Sequence, residues 1–132
     1  FSIQDLYVSE MGAGCAVHNI GSTSPWSTNQ AVFRQKTVAA SADELVKSFG
    51  FPAPSIMKID VDGIELEILR VARMILSDSL QTVLVEIDAD DDKAVEEMSM
   101  IMSDTCFTLV AESSRSTRIN EKLPRNFIWK KR

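Results

Sequence analysis

The stretch Lys58-Ile59-Asp60-Val61-Asp62-Gly63-Ile64-Glu65-Leu66 decides the fold. Ser55–Val61 is an apolar run with one lysine inserted, and it reads as a strand. Asp60 and Asp62 stand at its carboxyl end, and Gly63 permits a sharp turn because it carries no Cβ. The helical spacing of Ile64, Ile68, Leu69, Val71, Ala72, Ile75 and Leu76 predicts a helix running to about Leu76. Thr82–Ile87 follows as Thr-Val-Leu-Val-Glu-Ile, a run suited to a strand buried on both faces of a parallel sheet.

Outward from this unit the alternation continues. The acidic stretch Asp88–Asp92 opens a helix whose apolar stripe is Val95, Met98 and Met102, with Ala94 and Ile101 beside it. These methionines read as core. Cys106–Ala111 is a strand, Glu112–Lys122 a polar loop, and Asn126–Lys130 a last strand. Only a loop separates the last two strands, which predicts an antiparallel hairpin at the sheet edge. Upstream, Leu6–Val8 is a short strand, Gly12–Thr28 a polar loop, and Ala31–Ala39 an edge strand. Ser41-Ala42-Asp43-Glu44 forms a capping box, and the short helix behind it ends at Gly50. Strand, helix, strand, helix, strand implies βαβ units, with the strand ending at Asp60 central and the strand ending at Glu86 beside it.

Composition narrows the function classes. The chain has 132 residues, 45% of them hydrophobic, which suits one globular domain. A net charge of −5 gives no basic field for nucleic acid. No stretch is long and apolar enough for a membrane span, and no secretory signal is visible. Cys15 and Cys106 make no disulfide framework and read as reduced thiols, consistent with a cytoplasmic setting. With a single histidine they form no zinc set.

Several side chains could carry chemistry. In open parallel sheets ligands sit outside the carboxyl ends of the strands, where Asp60 and Glu86 fall. Asp62 has a structural use as N-cap, with Glu65 as its capping-box partner. Glu65 also interrupts the apolar arc of its helix, so it is expected to be buried and hydrogen-bonded. His18 is the one residue able to act as a base near neutrality at its ordinary pKa. Glu10-Met11-Gly12-Ala13-Gly14 has the look of a nucleotide loop, yet no helix pattern follows it and no ribose-binding acid stands ~20 residues on. No cofactor-binding residue is assigned.

Lys58–Arg70 resembles the signature of FkbM-type methyltransferases, with a Lys-Ile-Asp strand, an acidic-Gly turn, Glu and a Leu-rich helix. Val83–Ile87 is similar to the strand that follows in that family, Leu6–Gly21 with Ala16-Val17-His18 to its strand and loop, and Asn126–Trp129 to its terminal strand. Val71 departs from the family's usual glycine. The resemblance implies a Rossmann-like class I methyltransferase fold, a mostly parallel three-layer α/β sheet. It also implies transfer of a methyl group from S-adenosylmethionine to a hydroxyl oxygen. The family's cofactor loop precedes a segment like Leu6–Gly21. With Phe1 in first place, residues 1–132 are therefore expected to be the C-terminal portion of one domain, without its N-terminal strands.

The resulting expectation is an O-methyltransferase portion whose acceptor is a small-molecule or glycan hydroxyl. Asp60, Glu86 and His18 are its candidate catalytic residues. Mg²⁺ would suit the Asp60–Glu86 pair but is not required. Two alternatives stay open: a non-catalytic α/β interaction module, and a Mg²⁺-dependent phosphotransfer enzyme on a similar sheet.

Overall fold

The computed structural model describes residues 1–8, 19–20, 33–61, 63–88, 91–113 and 125–132. Two sheets form. The smaller joins β1 (Ser2–Val8), β2 (Asn19–Ile20) and β3 (Phe33–Ala39) in the order β2-β1-β3, all antiparallel. The larger joins β4 (Ile56–Ile59), β5 (Thr82–Ile87), β6 (Phe107–Glu112) and β7 (Arg125–Lys131) in the order β4-β5-β7-β6. Between strands lie α1 (Ala42–Lys47), α2 (Glu65–Arg70), α3 (Arg73–Asp78) and α4 (Asp92–Asp104).

The larger sheet is mixed, which corrects the expectation of a mostly parallel one. β4 and β5 are parallel, whereas β7 is antiparallel to both β5 and β6. The cause is the β6–β7 hairpin. It forms as expected, but its returning strand enters beside β5, so β6 takes the edge. β4 is the other edge, not the centre, and Ile56 on it is 71% exposed. A second correction concerns cover. Along β5, Val83, Val85 and Ile87 are buried while Thr82, Leu84 and Glu86 are only half-buried. Such alternation belongs to a sheet packed on one face. The buried side chains of α2, α3 and α4 join Ile59, Val83, Val85, Phe107, Phe127 and Trp129 in a single core. Among the described residues the larger sheet and its helices thus make two layers rather than three. Truncating a fully buried member such as Leu76 to Ala costs about 2–5 kcal/mol.

Local chemistry explains the elements. At α1, Ser41 Oγ accepts from Glu44 N at 3.1 Å and Glu44 Oε2 accepts from Ser41 N at 2.9 Å, the reciprocal box expected. At α4, Asp91 Oδ1 accepts from Ala94 N at 3.1 Å. The expected single helix to Leu76 breaks into α2 and α3. Ala72 N donates to Leu69 O, three residues back, and this tighter turn ends the first helix. The second helix starts without a cap of its own. Asp43 of α1 supplies one: its carboxylate accepts from Met74 N at 2.8 Å and from Ile75 N at 3.0 Å. At the other end of α3, Lys131 Nζ donates to Leu76 O at 2.5 Å and Ser77 O at 2.9 Å, a cation at a helix C-terminus. In the smaller sheet Lys36 faces Asp5 across strands at 2.9 Å.

Candidate functional site

The carboxyl ends of β4 and β5 hold the candidate site. Ile59 pairs with Val85, so the next residues, Asp60 and Glu86, follow one another across the parallel pair. Side chains alternate along a strand. Ile59 and Val85 point into the core, so Lys58 and Glu86 face away from it. Lys58 Nζ donates to the Asp60 carboxylate, which brings Asp60 to that same outer face. The hydrogen bond to Asp60, its charge and the charge of Glu86 together hold the Lys58 ammonium above its ordinary pKa.

β7 extends the arrangement. Asn126 stands opposite Glu86 in the antiparallel register. Asn126 N donates to Ser113 Oγ at 2.9 Å, and Ser113 N donates to Asn126 O at 2.9 Å. Asp60, Glu86, Asn126 and Ser113 therefore follow in succession across the sheet at one end. Below them on the outer face lie Leu84 and Ile128, also register partners and both half-buried. Asn126 and Ser113 were not legible as site residues. Their place beside Glu86 depends on where β7 enters the sheet, and no local pattern encodes that.

Asp60 is exposed, its side chain 46% open to solvent, and Glu86 is half-buried. A carboxylate with access to solvent and to a neighbouring cation can accept a hydrogen bond from an approaching hydroxyl. Glu65 plays a different part. It is 8% exposed, and Oε1 accepts from Gly63 N at 3.0 Å, closing the turn between β4 and α2. Gly63 has φ of +99°, a conformation that favours glycine. The burial of Glu65 agrees with its place on the apolar arc. The expected capping box does not form as drawn, because Ile64 occupies the N-cap position and Glu65 starts the helix. Asp62, His18, Cys15 and Glu10–Gly14 lie outside the described residues.

Among the described residues the Gly63 turn is the one glycine turn at a carboxyl end of the larger sheet, and Glu65 already takes its N–H. Nor do any described residues gather three or more His, Cys, Asp or Glu side chains that could hold a metal ion. Asp60 and Glu86 offer two carboxylates, one of them engaged by Lys58. No described helix is long and apolar enough to cross a membrane. No family model, curated protein or solved structure matches the chain.

Proposed function

We propose that this chain carries the acceptor side of an S-adenosylmethionine-dependent methyltransferase acting on a hydroxyl oxygen. The observation that supports the reading is the pair Asp60 and Glu86, on adjacent parallel strands at the carboxyl end. That is where an open α/β sheet keeps its ligands. Strand directions lend further support. β6 runs the same way as β4 and β5, because both β5 and β6 are antiparallel to β7. β4, β5 and β6 so keep the relative order of strands in the second half of a doubly wound sheet, with β7 inserted. The resemblance of Lys58–Arg70 to the FkbM-type signature names the reaction.

Methyl transfer to oxygen needs an aligned nucleophile and a destination for its proton. Asp60 would accept a hydrogen bond from the acceptor hydroxyl and take its proton, while bound S-adenosylmethionine would supply the methyl group and leave as S-adenosylhomocysteine. Glu86 and Asn126 hold neighbouring polar groups of the acceptor. Glu65 keeps the turn after β4 in shape and touches no reactant. General-base assistance of this kind contributes ~10²–10⁴-fold.

The test uses the full-length polypeptide that carries residues 1–132, supplied with S-adenosylmethionine. Transfer of labelled methyl groups is followed across a panel of small-molecule and glycan alcohols. Asp60→Asn should lower turnover about 100-fold, at the lower end of the general-base range, with cofactor affinity unchanged. Equal losses in both would move Asp60 to the cofactor, and no transfer to any alcohol would defeat the reading. A rival, the non-catalytic interaction module, is favoured by Phe1, Ile3, Val38 and Phe49, each more than half exposed.

A further inference from the structure

We draw no further inference here: the strongest candidate, the exposed apolar patch where Phe1, Ile3 and Val38 of the smaller sheet meet Phe49 after α1, is an unpartnered face and nothing in the structure shows what covers it.

Discussion

Glu65 shows what a residue's burial can and cannot reveal in advance. Its place on an apolar helical arc announces a buried carboxylate, and the structure has one. Its partner was not readable, because the choice between the N-cap and N3 positions rests on one or two residues of helix onset. Glu65→Ala removes the acceptor of the Gly63 N–H and should destabilise the protein by about 1–3 kcal/mol in urea unfolding. Glu65→Gln keeps an acceptor oxygen and should cost clearly less. If the two variants unfolded alike, burial of the side chain would matter more than the bond. Asp43 is the converse case. The capping box beside it was visible in four consecutive residues, yet the two bonds that Asp43 makes reach 31 and 32 residues along the chain. Short-range patterns hold no trace of such a cap. Asp43→Ala should cost about 1 kcal/mol, the usual worth of an N-cap. It should also speed hydrogen exchange at the Met74 and Ile75 amides. Unchanged exchange there would show that α3 does not depend on the cap.

Helices and strands were mostly legible, and the misreadings have physical causes. β5 and α4 were placed within a residue or two because their apolar patterns are strong. The break between α2 and α3 was missed because the apolar residues keep helical spacing straight through it. What changes at Ala72 is the hydrogen-bond span, and composition does not announce that. The shortened α2 is braced to α4 by Arg70, whose Nε and Nη2 donate to Glu97 at 2.6 and 2.8 Å. These bonds hold the Glu97 carboxyl below its ordinary 4.5 and the Arg70 guanidinium above its ordinary range. For Glu97 the folded pKa lies below the unfolded one, so its contribution is complete above about pH 4.5. It fades as pH falls through the lowered value. Arg70 contributes below its ordinary value and loses that only in strong alkali. Glu97→Gln should therefore lower Tm slightly at pH 7. The gap from wild type should close on acidification and narrow with added salt, since the pair is exposed. A gap that persisted into acid would point to packing instead of charge.

For the molecule as a whole, the α/β class was readable and the layout only in part. Continuous apolar strands suggested helices on both faces, but Leu84 and Ile128 are half-buried on a face that carries no helix among the described residues. The polar line across the larger sheet was half visible: two carboxylates follow from strand ends, whereas Asn126 and Ser113 follow from topology. At this scale the methyltransferase reading makes a plain demand. The 132-residue chain should give little or no heat on titration with S-adenosylmethionine, because no helix pattern follows Glu10–Gly14 and no ribose-binding acid stands ~20 residues on. Tight binding would instead mark Glu10–Gly14 as the cofactor loop. The place of β7 has a consequence in time. The strand that separates β5 from β6 follows both of them in the sequence. Synthesis runs in that order, so both flanking strands are made before the one that joins them. Until then Phe127 and Trp129 are missing from the core and the facing edges of β5 and β6 have no partner. Chains released at Ser113 should stay sensitive to protease, and resistance should appear only once the residues through Lys131 are present. Early resistance would mean that β5 and β6 find another arrangement first. A growing molecule thus passes through a stage with an unclosed gap in its main sheet, open to aggregation or to a chaperone.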